Sequence, residues 1–423
     1  MTTRLAQALI AAAELAPPVP APDELWRHGR RRRRRRRTAA ALACLLLVAA
    51  LAWAPVRSRS DLGFAGTGAA VLPATVAEPH LWQRTVDGDA HGPVKLAFGT
   101  GHSLNFETAL VLIGADDSYR LDYLSPGEEP GVLSPDGRWL LGQHLRDLTT
   151  GDTRELDRPL TGYVPAVWAP DSRTAVGIIM PDGGGTSYGP DGAELDGPDD
   201  EIILVDVASG TARTIATVPD AAMWRAAFSP DGGRLAIHAW FPDKNSALTI
   251  LDMRGTDPPR MVNLTARQRL AGPAAWTPDG NQILLVADDG CAQGRDQCAD
   301  PTWHVQRVDV ATGTISDETA RARPGTPTVV AWRDGEPIVQ VQRSYDALRC
   351  DTVALTATDA RTLPLTVAGN GCANYARDLL EEGTLGGPGI GPAFWQAQWW
   401  AYSPVVALLV GLLLIVRRRY RAR

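Results

Sequence analysis

The segment Asp182-Gly-Gly-Gly-Thr-Ser-Tyr-Gly-Pro-Asp191-Gly-Ala-Glu194-Leu-Asp196-Gly-Pro-Asp199-Asp200-Glu201 gathers carboxylates and glycines as no other part of the chain does. Oxygen ligands on a pliable backbone are what a hard cation such as Ca²⁺ takes. Asp182, Asp191, Glu194, Asp196, Asp199 and Asp200 are therefore candidate calcium ligands. Their spacing does not follow the EF-hand loop, and an acidic insertion also reads as a solvated surface loop and a contact site. The seven histidines (His28, His80, His91, His102, His144, His238, His304) show no ligand spacing, and His238 reads as a structural residue within a strand. No Gly-x-Ser-x-Gly, His-Glu-x-x-His or Walker loop occurs. Gly63-Phe-Ala-Gly-Thr-Gly68 has no strand before it and reads as linker. No catalytic residue is expected, and no cofactor other than calcium.

Cysteine offers the second chemistry. Cys44 lies in an apolar run and reads as a small apolar residue. The other four fall between residues 291 and 372. Cys291 and Cys298 bracket the polar loop CAQGRDQC, so closing it costs little entropy. Cys350 and Cys372 then pair by elimination. A metal site would want closer spacing or more histidine than His304 alone. Two disulfides, Cys291–Cys298 and Cys350–Cys372, are expected, and with them an oxidising compartment.

The elements that must position these groups repeat. Val132-Leu-Ser-Pro-Asp-Gly-Arg-Trp-Leu-Leu returns as Val167-Trp-Ala-Pro-Asp-Ser-Arg-Thr-Ala-Val, Ala227-Phe-Ser-Pro-Asp-Gly-Gly-Arg-Leu-Ala and Ala275-Trp-Thr-Pro-Asp-Gly-Asn-Gln-Ile-Leu. A decayed copy is Val330-Ala-Trp-Arg-Asp-Gly-Glu-Pro-Ile-Val. Pro135, Pro170, Pro230 and Pro278 are 35, 60 and 48 residues apart. In each copy an apolar pair ends one strand. Pro fixes φ in a tight turn, Asp136, Asp171, Asp231 or Asp279 follows it, and an apolar run begins the next strand. Between copies a second hairpin recurs, as in Ile203-Leu-Val-Asp-Val-Ala-Ser-Gly-Thr-Ala-Arg-Thr-Ile and Val305-Gln-Arg-Val-Asp-Val-Ala-Thr-Gly-Thr-Ile. Each unit thus carries four short strands, as an antiparallel blade requires. Leu110–Ile113 and Tyr119–Tyr123 read as a further hairpin.

The repeated turn with its Val-Asp-x-x-Ser/Thr-Gly hairpins resembles the TolB-like, WD40-like propeller repeat, over residues 92–370. The resemblance implies an all-β β-propeller over residues 92–375, of about six four-stranded blades, with five or seven as alternatives. No sustained helical periodicity supports an α-solenoid, and a β-sandwich would not predict the recurring turn. Propellers also occur in prolyl-oligopeptidase-type enzymes, whose α/β-hydrolase domain has no room after residue 370.

Charge is segregated. Residues 1–37 hold ten arginines, including the run Arg30 to Arg37, and the tail from Arg417 holds five. The middle keeps 27 basic and 45 acidic residues, a net of −18. That balance argues against nucleic acid as partner of the main domain. The uncharged run 38–56 is long enough, at ~1.5 Å per residue, to cross ~30 Å of hydrocarbon. A second run, 399–416, carries Trp399, Trp400 and Tyr402 at its start. Arg30 and Arg37 before the first run, and Arg417 and Arg419 after the second, place both termini in the cytoplasm. The expected organisation is a cytoplasmic arm (1–37), a transmembrane helix (38–56), a linker (57–91), the extracytoplasmic propeller, a linker (376–398), a transmembrane helix (399–416) and a basic tail (417–423). The composition is of the high-GC bacterial, actinobacterial type. The expected function is a cell-membrane, two-pass binding or scaffolding module for a protein, peptide or envelope ligand. The first alternative is signalling, with residues 1–29 docking a cytoplasmic regulator such as a sigma factor. The second is a propeller hydrolase or lyase.

Overall fold

The computed structural model describes Gln7 and residues 71–80, 82–88, 92–99, 109–124, 130–158, 163–180, 199–218, 223–240, 245–255, 257–288, 303–321, 325–343, 349–356, 360–368, 370–393 and 403–421. The arm with Arg30 and Arg37, the run 38–56, and Cys291 and Cys298 lie outside them. So do Asp182, Asp191, Glu194 and Asp196.

Six four-stranded antiparallel sheets make a six-bladed β-propeller. Blade 2 is built from Val132–Leu133, Trp139–Leu141, Leu145–Asp147 and Thr153–Arg154. Blade 3 takes Tyr163–Trp168, Thr174–Ile179, Asp200–Asp206 and Thr211–Val218. Blade 4 takes Met223–Phe228, Arg234–Trp240, Ser246–Asp252 and Arg260–Leu264. Blade 5 takes Gln268–Leu270, Gln282–Asp288, Trp303–Asp309 and Ile315–Arg321. Blade 6 takes Thr326–Arg333, Glu336–Arg343, Arg349–Leu355 and Ala360–Thr362. Blade 1 is composite: Val94–Gly99, Ala109–Gly114 and Tyr119–Tyr123 join the late strand Asn370–Tyr375, which pairs with Val94–Gly99 in the place of a first strand.

The recurring turn connects first to second strands, and the second recurrent hairpin connects third to fourth. Each blade buries apolar residues of both faces against its neighbours, as in the cluster of Leu284, Trp276, Trp303, Val341 and Val353. Neighbouring blades are also tied by tryptophan. Trp168 Nε1 donates to Val132 O at 2.9 Å, Trp276 Nε1 to Ala227 O at 2.9 Å, and Trp332 Nε1 to Ala274 O at 2.8 Å. In blades 3, 5 and 6 the Trp before the turn is therefore a strut to the preceding blade. Buried indole N–H groups need such partners.

Segments expected as linkers carry structure. Val71–Pro73 runs parallel to Thr384–Gly387, and Thr75–Val76 runs parallel to Thr366–Val367. Tyr119 Oη lies 3.2 Å from both Ala77 O and Ile390 O, fastening the two ends of the domain. Residues expected as linker also form a short helix, α1 (Arg377–Glu382).

The second expected membrane run also differs from its expectation. A helix, α2, spans Ser403–Arg421, starting four residues later than the run and continuing through the basic tail. Pro404, the second residue, needs no amide partner there. From Ser403 to Val416 the helix covers about 21 Å at ~1.5 Å per residue, less than the ~30 Å of a hydrocarbon core. Among the described residues no helix is long and apolar enough to cross a membrane.

Candidate functional site

The turn aspartates hold turns. Ser134 Oγ donates to Asp136 Oδ1 at 2.6 Å, the same oxygen accepts from Arg138 N at 3.0 Å, and Trp139 N donates back to Ser134 Oγ at 2.9 Å. Ser229 with Asp231 and Thr277 with Asp279 repeat the arrangement at 2.6 Å. In blade 3 Ala169 offers no hydroxyl, yet Asp171 still accepts from Arg173 N at 2.9 Å. Hydroxyl and then amide donors hold the Asp231 and Asp279 carboxyls below the usual range. Their hydrogen-bonding capacity is spent on hydroxyl, amide and guanidinium donors in and beside the turn.

The turns bring Pro170, Pro230 and Pro278 to one end of the propeller axis. There they rim a cavity of about 330 Å³, together with Phe228, Trp276, Trp332, Asp334, Arg377 and Glu381. A second cavity, of about 230 Å³, runs inside, walled by first-strand residues: Val132 and Leu133, Ala166 to Trp168, Thr328 and Val330, and Cys372 to Tyr375. Its walls are mainly apolar, with Gln340, Asn374 and Arg377 among the polar groups. Arg377 lines both cavities, so α1 stands between them.

Position and charge of α1 follow from its neighbours. Asp378 N donates to Pro135 O at 3.2 Å. Arg333 donates to Leu380 O at 3.0 Å and to Gly383 O at 2.7 Å. Leu379 and Leu380 are buried. Arg377 Nε faces Glu381 Oε1 at 3.6 Å. Burial pushes the Glu381 carboxyl up and Arg377 pulls it back. Asp378 keeps one edge in solvent, yet desolvation raises it too. Arg377 opposes that rise, and Asp136 and Glu382 add to it.

A buried polar cluster occupies the joint of blades 4 and 5. His238 Nε2 lies 2.8 Å from Ser246 Oγ, a distance suited to a nucleophile and its base. The other ring nitrogen decides otherwise. His238 Nδ1 accepts from Leu270 N at 3.2 Å, so the proton sits on Nε2, which donates to the serine. Burial first, then Arg225 and Arg269, lowers the His238 pKa to about 4. Burial likewise lowers Arg225 to about 10, while its guanidinium donates to Leu270 O at 3.0 Å. Arg269 pairs with Asp288 at 2.6 Å. The cluster is a set of struts between two blades.

The remaining candidates among the described residues, Cys372 excepted, line neither cavity. Asp199 is exposed, and Asp200, 3% exposed, opens the third strand of blade 3. Among the described residues no three His, Cys, Asp or Glu side chains could hold a metal ion. Cys350 and Cys372 form a disulfide. Arg417 is exposed on α2, which also carries Arg419. The sequence reading missed α1, although Arg-Asp-Leu-Leu-Glu-Glu is helix-forming and has an i,i+4 ion pair.

No protein-family model matches the chain, and no curated protein matches it. Among solved structures it is similar to TolB from Acinetobacter baumannii, at 16% identity and a TM-score of 0.41 over 64% of this chain and 62% of that one. The chain thus spans less than two thirds of that TolB. It is similar to an oligogalacturonate lyase in complex with manganese, at 16% identity and a TM-score of 0.41 over 65% and 74% of the two chains. It is also similar to a prolyl endopeptidase, at 13% identity and a TM-score of 0.40 over 64% and 43%. These are likenesses of architecture, and the six blades are read from this chain's own strand pairing.

Proposed function

We propose that this chain is a membrane-anchored propeller that binds a protein, peptide or envelope ligand at the turn-side mouth of its axial channel, without chemistry of its own. The observation that carries this reading is the mouth itself: a cavity of about 330 Å³ rimmed by prolines and aromatic rings, over an apolar channel. Apolar concavities with a few polar groups are where ligands dock. A hydrolase or lyase would need carboxylates and imidazole converging on the channel. Among the described residues the charged side chains along the two cavities are Asp334, Arg377 and Glu381, and the last two face each other.

Anchoring draws on α2, where Leu408, Val410 and Leu412 to Ile415 are 51 to 64% exposed. Apolar side chains so exposed call for lipid or a partner. With Trp399 to Tyr402 the apolar run approaches the length of a span, and Arg417 to Arg419 mark its cytoplasmic end. The signalling alternative rests on residues 1–29 and awaits a test of that arm.

The test is photo-crosslinking in the native cell, with a photoreactive amino acid at Pro278 on the mouth or at Met261, exposed on the outer strand of blade 4. A discrete adduct from Pro278 and none from Met261 is the expected result. Equal patterns from both positions would remove the mouth as the binding surface.

A further inference from the structure

The strand Asn370–Tyr375 closes the ring of blades, and its pairing is broken at its middle. It matches Val94–Gly99 at Asn370, Asn374 and Tyr375 alone, with a register shift between Asn370 and Asn374. Gly371 within the break has φ 91°. Cys372, also within the break, is exposed and lines the inner cavity. Its sulfur is bonded to Cys350, on the third strand of blade 6. The disulfide therefore crosses the joint between blade 6 and blade 1, where the late strand meets the early ones. The same joint carries Gln340 Nε2 donating to Ala373 O at 2.6 Å, and a side-chain hydrogen bond between Tyr375 and Thr352.

We propose that Cys350–Cys372 is a redox-operated clasp: a dithiol reductant frees the inner strand of blade 1 and opens one wall of the axial cavity. Cys372, the more exposed residue of the pair, is the point of attack. A reductant thiolate bonds to Cys372 Sγ, and Cys350 leaves as a thiolate that takes up a proton. The second reductant thiol then displaces Cys372 from the mixed disulfide. Two electrons and two protons pass from the dithiol to the protein, leaving two cysteine thiols and an oxidised reductant. What remains at the joint is a broken ladder, a few side-chain hydrogen bonds, the Ala376 N to Lys95 O bond and the packing of Ala373 and Tyr375 with Ile338 and Ala354. Segments held this thinly open locally without global unfolding. Intact blades, with unbroken ladders such as Arg234–Trp240 in blade 4, do not respond.

The test is hydrogen exchange on the full chain in detergent micelles, with Cys291→Ser and Cys298→Ser in the background so that the readout belongs to one bond. After dithiothreitol treatment, amides 370–375 exchange at least tenfold faster, blade 4 is unchanged, and reoxidation restores protection. Three results would each overturn the proposal. One is unchanged exchange at 370–375 once both thiols can be alkylated. Another is a bond that resists reduction in the native protein. The third is equal acceleration in every blade, which is global unfolding.

Discussion

Burial and the guanidinium groups of Arg225 and Arg269 hold the His238 imidazole neutral, with its pKa lowered to about 4 from 6.5. A group whose native pKa is depressed protonates first in the unfolded chain. The native state therefore loses stability as pH falls from about 6.5 towards 4, on the order of 3 kcal/mol at ~1.4 kcal/mol per unit. His238→Gln should remove most of this slope. Urea unfolding at pH 7 and pH 4.5 checks it, and parallel losses in the two proteins would place the acid sensitivity elsewhere. Asp231 and Asp279, held below the usual carboxylate range, lose their contribution only at still lower pH. The sequence marked His238 as a strand residue with a structural role. It could not mark the Leu270 amide that fixes the tautomer, because that donor comes from the next blade.

The turn is the element whose residue types could be read without coordinates. Pro, Asp and Gly each answer a local backbone demand, so the reading needs no distant neighbour. Distant neighbours still set what each glycine tolerates. Gly137 has φ 71°, and a Cβ there would stand 2.1 Å from Val94 O in blade 1. Gly335, in the decayed copy, has φ 79° with open space around it. Gly335→Ala should cost about 1–2 kcal/mol, the price of the left-handed conformation alone. Gly137→Ala should cost severalfold more, because the contact between blades 1 and 2 must also part. Thermal denaturation of both variants decides this, and similar losses would mean that blade 1 yields freely. α1 shows the limit of local reading. Its six residues could be read as helix or linker, and what holds it on the axis is Arg333 from blade 6 and the Pro135 carbonyl from blade 2.

At the scale of the whole molecule, closure joins segments nearly three hundred residues apart. The Tyr119 hydroxyl, buried between Ala77 O and Ile390 O, lies where three such segments meet. Tyr119→Phe should leave the Ala77 carbonyl short of this donor, while Ile390 O keeps its bond from Ala77 N, and cost about 1 kcal/mol. Amide exchange should quicken at residues 75–77 and 390, and unchanged exchange there would show that the hydroxyl is dispensable. The sequence by itself determined the all-β class and the blade as the repeating unit, because turn chemistry and strand alternation are local and recur; it put the count at about six with five or seven open, and the strand pairing decided six. It also determined where charge and apolar runs lie along the chain. Only the tertiary structure decided that the ring closes with the strand Asn370–Tyr375, that Val71–Pro73, Thr75–Val76 and Thr384–Gly387 are strands, and that α1 parts the two cavities. Those features depend on partners far away in sequence, and neither spacing nor composition carries the identity of a remote partner.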